Sequence, residues 1–258
     1  MVNTTDFFSQ LANARRSVRA YLSTPVSDAL LQEVLMQARL APSGANLQPG
    51  ALIHVRGMVR EGLSENLVEA WRQGREEVED YSYFPKPMPH TLRRRQVAAA
   101  QALYGALGVS RDDREGRDAQ FERNFRFFDA PVALVVTMEH GFGSGGYMDL
   151  GMMLYGLMLA AQAKGLSTCA VGAMASFPNV IRKNLGLEAS SHIVCGMALG
   201  YAFQIADDVL DYAADVEVAL AIEPMHVACA ADWTFLTDVE STVALVESYR
   251  TPFLKLAF

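Results

Sequence analysis

The longest uncharged apolar stretch constrains the fold of this chain more than any other feature. Residues 148–164 are almost continuously apolar and are followed by Gly165, a residue type that commonly ends helices. The uncharged run within them, 150–163, has 14 residues, whereas a membrane-spanning helix needs about 20. We therefore expect a central helix that is buried on all sides inside a folded domain.

Shorter patterns predict the elements around this helix. Apolar or β-branched runs predict strands over residues 51–55, 132–138, 167–172 and 193–201. Apolar residues at helical spacing and helix-ending signals predict helices over residues 6–14, 27–40, 93–107 and 179–185. Helices mixed with strands in this order indicate an α+β fold.

The charge balance restricts the classes of partner. The 258 residues include 22 basic and 29 acidic side chains, which gives a net charge of -7. This balance argues against a protein that binds along a nucleic-acid backbone and against a polybasic membrane anchor. Small molecules and other proteins are therefore the expected partners. No secretory signal is visible, and Cys169, Cys195 and Cys229 lack metal-ligand spacing. We expect a cytoplasmic protein without a metal site.

Two polar segments have the chemistry to bind a ligand. Arg15, Arg16 and Arg19 surround Ser17 in the link between the first two predicted helices. Guanidinium groups match phosphate geometry, although a solvated basic link would have the same composition. The second segment, residues 41–50, contains amides that suit the edge of a heterocycle, and its alternative interpretation is a plain turn.

A stretch rich in tyrosine and proline, residues 81–89, interrupts the middle of the chain. Its three prolines within five residues exclude a helix and predict an extended excursion on the surface. Aromatic side chains here and near residue 128 either line a substrate pocket or are ordinary core and surface aromatics. The candidates for the pocket are Tyr81, Tyr83, Phe84 and Phe128.

The combination of RRSVRAY at residues 15–21 with APSGANLQP at 41–49 resembles the nitroreductase family of FMN-dependent oxidoreductases. ALYGALGVSRDDREGRD, NFRFFDAPVALVV, YMDLGMMLYGLMLAAQAKGLSTC and IVCGMALGY are similar to further family segments in family order, so the resemblance covers about residues 6–201. The tyrosine and proline excursion and NLQPG look most like the branch that reduces nitrobenzoates. The resemblance implies a homodimer with a helix-flanked sheet, and FMN sites at the subunit interface.

The resemblance also implies the reaction. Hydride would pass from NADH or NADPH through flavin N5 to a nitroaromatic or quinone-like acceptor in a ping-pong sequence, and no side chain would act as a catalytic acid, base or nucleophile. An alternative is a protein of the same fold that binds flavin without turnover.

Individual residues receive roles from the same resemblance. The first arginines and the serine would lie near the FMN phosphate and ribityl chain, and Arg19 near the pyrimidine edge. The second polar segment, the amide loop, would reach the flavin of the other subunit. Backbone N–H groups of residues 171–173 would approach N5, and a late arginine, Arg250, would add a phosphate contact. The implied cofactor-binding residues are Arg15, Arg16, Ser17, Arg19, Pro42, Ser43, Gly44, Asn46, Gln48, Gly172, Ala173 and Arg250.

The resemblance fails after residue 201. Residues 202–249 contain ten acidic side chains and no lysine or arginine, where family members have a short loop. We expect a flavin-binding domain over 1–201, an acidic and partly helical segment over 202–249, and a shortened C-terminal arm over 250–258. Residues 203–212 resemble the second aspartate-rich motif of polyprenyl diphosphate synthases, which implies Mg²⁺-diphosphate binding at Asp207, Asp208 and Asp211. The alternative is a solvated acidic helix.

Overall fold

The computed structural model of the chain describes residues 4–203. Apart from Ala202 and Phe203, the predicted acidic segment, its aspartates and the arm with Arg250 lie outside the described residues. The elements in chain order are α1 (Thr4–Ala14), α2 (Asp28–Ala38), β1 (Gly50–Val55), α3 (Gly57–Arg72), α4 (His90–Ala106), α5 (Arg114–Glu122), β2 (Val132–Glu139), α6 (Ser144–Ala163), β3 (Ser167–Val171), α7 (Pro178–Leu185) and β4 (Ser191–Gly200).

The described residues divide into two compact units. Residues 4–81 and 120–203 form the first unit, and residues 82–119 form the second. Within the first unit, ion pairs adjoin both points at which the chain leaves and re-enters it. Asp80 pairs with Arg182 at 2.7 Å, and Glu122 pairs with Arg72 at 2.7 Å. No described helix is both long and apolar enough to span a membrane.

The four strands of the first unit form one antiparallel sheet in the order β1-β2-β4-β3. The two central strands are buried along most of their length, because each of their faces meets other elements. On one face, alternate residues of β2, such as Leu134 and Val136, pack in the cluster formed by α2 and α6. On the other face, the backbone at Gly196 lies against Met174 and Phe127. Continuous apolar strands are typical of sheets covered on both sides, and the predicted α+β class is confirmed.

The central helix α6 differs from the sequence expectation in one respect. Leu150, Met153 and Leu157 lie on one face and are buried in the cluster with the sheet and α2. On other faces of the helix, Met148 is 65% exposed, and Met152 and Tyr155 are also exposed. The prediction of a helix buried on all sides was therefore wrong for the described chain, because the sheet and α2 leave these side chains uncovered.

Local signals in the sequence set several boundaries correctly. Ser27 caps α2 by accepting a hydrogen bond from the N–H of Leu30 at 3.2 Å. Gly165 follows α6 with a φ of 71°, in the left-handed region that favours glycine. Pro89 directly precedes α4, so this helix starts at His90, before the predicted residue 93. Most side chains of the excursion before it are exposed, as predicted.

Gly200, the last residue of β4, lies where three segments meet. A Cβ atom there would lie 2.5 Å from Cδ of Pro131 and 3.2 Å from Cδ1 of Tyr21. Because the proline ring cannot rotate away, Gly200→Ala should lower the free energy of unfolding by about 1–3 kcal/mol, measured by chemical denaturation. Gly105→Ala in α4 is the control: apart from its own helix backbone and chain neighbours, no described atom lies within 4 Å of a Cβ placed there, so stability should stay unchanged or rise by about 0.5–1 kcal/mol. An equal loss in both variants would contradict the expected clash.

Candidate functional site

The arginine segment, residues 15–21, lies along the edge of β3 that faces away from β4. Ser17 forms a parallel bridge with Thr168, and the N–H of Val18 donates to the Thr168 carbonyl at 3.1 Å. At the end of the segment, Tyr21 forms an antiparallel bridge with Ala202, and its hydroxyl donates to the Val18 carbonyl at 2.7 Å. The backbone of the segment is thus fixed to the sheet at both ends.

The side chains of this segment concentrate positive charge over β3. Arg19 donates to the Ser17 carbonyl at 3.1 Å, and its guanidinium carbon lies 5.8 Å from the ring centroid of Phe128. Burial raises the pKa of the Cys169 thiol on β3, and the charges of Arg19 and Arg15 partly oppose that rise. The guanidinium charges of Arg15 and Arg19 therefore both lie close enough to Cys169 to affect its thiol. Ser17, between them in the sequence, is exposed.

A helical turn, residues 172–176, follows directly after β3. Gly172 and Ala173 at its start are half-buried, whereas Met174 is buried against β4 at Gly196. The first N–H groups of such a turn have no partner within it and remain able to donate to a ligand. Because the turn is only four residues beyond Thr168, the arginine segment and the turn lie about 13 Å apart along one strand. The two predicted groups of residues therefore adjoin the same strand, one beside its start and the other directly after its end.

The amide loop, residues 42–49, is held in an uncommon conformation. Ala45, Asn46 and Gln48 have φ values of 50°, 55° and 48°, which cost non-glycine residues free energy. Nε2 of Gln48 donates to the Asn46 side chain at 3.1 Å and to the Ser43 hydroxyl at 3.1 Å. Gln48 therefore stabilises the loop from within, and the exposed Asn46 remains at its surface.

The loop is not brought to the arginine segment of its own chain. It leads into β1, which is one edge of the sheet, whereas the arginine segment lies beside β3 at the other edge. Three strand spacings separate β1 from β3, and the arginine segment lies one spacing further out, so about 19 Å separates it from β1. On its other side the loop is tied to α6, because the N–H of Gly44 donates to Asp149 at 3.0 Å.

The four predicted pocket aromatics lie in different places. Tyr81 stacks on Tyr147 with a centroid distance of 4.8 Å, and its hydroxyl donates to the Val194 carbonyl at 2.8 Å. Phe128 is buried beneath Arg19. The remaining two, Tyr83 and Phe84, belong to the second unit. Both are exposed, and their ring centroids lie 4.8 Å apart.

Sequence reasoning missed an acidic strap, residues 77–81, that packs on the first unit. Asp80 accepts hydrogen bonds from Arg182 at 2.7 Å and from the N–H of Ile193 at 2.8 Å. Glu79 accepts one from the hydroxyl of Ser176, at the end of the turn, at 3.1 Å. The backbone N–H of Asn179 in α7 donates a hydrogen bond to the carboxylate of Glu77 at 2.7 Å. The acidic run was visible in the sequence, but its partners lie about 100 residues away.

The fold of the described residues, one antiparallel sheet with helices packed on it, has the α+β architecture of solved nitroreductases. The FMN and NADPH-dependent nitroreductase NfnB from sphigopyxis sp. strain HMH is 31% identical, with a TM-score of 0.72 over 88% of this chain and 99% of its own. NfnB from Mycobacterium smegmatis, solved in complex with NADPH, is 26% identical, with a TM-score of 0.73 over 90% of this chain and 100% of its own.

Sequence comparisons give the same result more specifically. The nitroreductase family model matches residues 12–201. The 4-nitrobenzoate reductase of Pseudomonas putida is 37% identical over 198 residues, which are 77% of this chain and 86% of that protein. The nitrobenzene nitroreductase of Ectopseudomonas oleovorans is 36% identical over 200 residues, 77% of this chain and 88% of that protein. The chain belongs to the nitroreductase family, as its motifs predicted.

Proposed function

We propose that this chain is an FMN-dependent NAD(P)H oxidoreductase that reduces nitroaromatic or quinone-like acceptors. The observation that carries this proposal is the position of the arginine segment, which backbone contacts hold on the same strand as the turn at Gly172. Basic side chains for the phosphate of a flavin nucleotide and backbone N–H groups for its ring system thereby lie along one strand, β3. The names of the relatives, which are nitrobenzoate and nitrobenzene reductases, support the acceptor class.

The residues present fit FMN. Arg15 and Arg16 together with the exposed Ser17 supply charge and hydrogen-bond donors for a phosphate dianion, and Arg19 supplies a further positive charge nearby. The start of the turn at Gly172 has only a hydrogen or a methyl group as side chain, so a flat ring system can approach its backbone closely. The segment and the turn are both fixed to the sheet, so neither needs to be ordered when the ligand binds.

The assignments within the site come from the family resemblance, and the positions described above support them. When bound, FMN supplies the redox chemistry, taking hydride from a nicotinamide and passing it to the acceptor. Arg15, Arg16 and Ser17 would hold the phosphate and ribityl chain, and the N–H groups of Gly172 and Ala173 would donate to the N5 edge. Arg19 places positive charge at the pyrimidine edge, which favours negative charge there and raises the reduction potential.

A second copy of the chain completes this site in our proposal. Met148, Met152 and Tyr155 on α6 are apolar side chains that a single chain leaves exposed, and so is Leu47 in the amide loop. The bond between Gly44 and Asp149 ties that loop to the same helix. In a homodimer that buries this face, Pro42, Ser43, Gly44 and Asn46 would extend to the flavin of the partner, with Gln48 as their support.

The visible absorption spectrum of the purified protein tests the function. We expect oxidised flavin bands, release of FMN on denaturation, bleaching by NADH or NADPH without oxygen, and recovery of the bands when 4-nitrobenzoate is added. A colourless protein that FMN cannot reconstitute would contradict the proposal. A yellow protein that neither nucleotide bleaches would instead support the flavin-binding alternative without turnover.

A further inference from the structure

A pair of histidines lies at the opposite end of the sheet from the arginine segment. His140 directly follows β2, and His192 is the second residue of β4. The pairing of Met138 with His192 in the sheet brings the two side chains together. Nδ1 of His140 lies 2.9 Å from Nε2 of His192, and the ring planes are inclined by 75°.

A tyrosine on α6 fixes the ring of His192 from its other side. The hydroxyl of Tyr147 lies 3.4 Å from Nδ1 of His192. The ring of Tyr147 is itself held by stacking on Tyr81. With Nδ1 donating to the tyrosine oxygen, the lone pair on Nε2 faces His140. Histidines that bind metals typically donate their other ring N–H to an oxygen in this way.

The two nitrogens lie close enough together to become adjacent ligands of one cation after a small movement of the exposed His140 ring. Imidazole nitrogens bind Zn²⁺ at about 2.1 Å in tetrahedral geometry, so two such ligands are about 3.4 Å apart, roughly 0.5 Å more than two rings joined by a hydrogen bond. The observed distance between the histidines is 2.9 Å. Because His140 is exposed, a cation can reach the pair directly from solvent.

We propose that His140 and His192 form a two-imidazole binding site for a divalent transition-metal cation of the Zn²⁺ class. Imidazole ligands suit Zn²⁺, Cu²⁺ and Ni²⁺, whereas Mg²⁺ and Ca²⁺ prefer oxygen. Within residues 4–203, no group of three or more histidine, cysteine or acidic side chains converges, so water completes the coordination. A bound cation links the end of β2 to the start of β4.

Zinc titration of the metal-free protein, prepared without a histidine tag, tests this site. Calorimetry should show one Zn²⁺ per chain, and Zn²⁺ should raise the thermal unfolding midpoint while Mg²⁺ should not. His140→Gln and His192→Gln should each weaken Zn²⁺ binding at least tenfold. Tyr147→Phe removes only the oxygen that orients His192 and should weaken binding by about tenfold.

His90→Gln provides the matched control, because His90 is exposed on α4 in the other unit. Its Zn²⁺ affinity and stoichiometry should equal those of the parent protein. Absence of Zn²⁺ binding in the parent would overturn the proposal. Unchanged affinity in His140→Gln would overturn it as well, and because this side chain is exposed, the variant should fold normally by circular dichroism.

Discussion

Replacing Asp80 with alanine is expected to lower the free energy of unfolding by about 3–5 kcal/mol, the usual cost of removing one partner of a buried ion pair. The side chains of Asp80 and Arg182 are only 12% and 13% exposed, and they approach to 2.7 Å. The substitution leaves the guanidinium group without its carboxylate and removes the acceptor of the Ile193 N–H. Urea denaturation at neutral pH measures the loss, with an unchanged slope showing that the unfolded state is unaffected.

A matched control exists on the surface of the same unit. Glu33 and Lys164 also form a close ion pair, at 2.6 Å, but their side chains are 57% and 42% exposed. Glu33→Ala should cost less than about 1 kcal/mol, because water and salt screen exposed pairs. Equal losses in the two variants would show that the acidic strap does not depend on the buried pair.

Arg15→Ala is expected to weaken FMN binding by roughly ten- to a hundredfold, so that the protein is purified depleted in flavin. A charge-assisted contact to phosphate contributes about 1.5–3 kcal/mol, which corresponds to this range. The ratio of flavin to protein absorbance gives the occupancy, and quenching of flavin fluorescence gives the affinity. Arg15→Lys should recover part of the affinity, since it keeps the charge but loses the two-pronged geometry.

Arg114→Ala is the control for this experiment. Arg114 is an exposed arginine of α5 whose recorded ion pair is with Asp118, at 3.6 Å within the same helix. Its removal makes the same change in net charge and should leave FMN affinity unchanged. Full flavin content in Arg15→Ala would contradict the placement of the phosphate, and equal depletion in both variants would indicate a general effect of charge.

Local chemistry explains why much of the fold could be predicted. The cap at Ser27 and the left-handed Gly165 act through their immediate neighbours, so the sequence contains all that determines them. The apolar runs of the two central strands likewise reflect their own burial, and their observed bounds differ from the predicted ones by no more than two residues. The arginine segment and the amide loop were also recognisable as motifs.

The remaining features depend on pairings between distant residues. The strand order places β1 and β3 on opposite edges, and nothing in either strand specifies this. The histidines at 140 and 192 meet only because of the register between β2 and β4. The exposed side of α6 could not be inferred because its composition is nearly uniform around the helix. The assignments for Arg250 and the aspartates near residue 208 remain predictions, since they lie outside residues 4–203.

The ion pairs at Asp80 and Glu122 have an evolutionary consequence. They hold the chain close to the two points at which it leaves and re-enters the first unit, and residues 82–119 between these points form a compact unit of their own. Chain segments with independently anchored ends tolerate insertion and replacement well. We therefore expect residues 82–119 to tolerate replacement, by recombination or by laboratory evolution, better than the sheet and the arginine segment do.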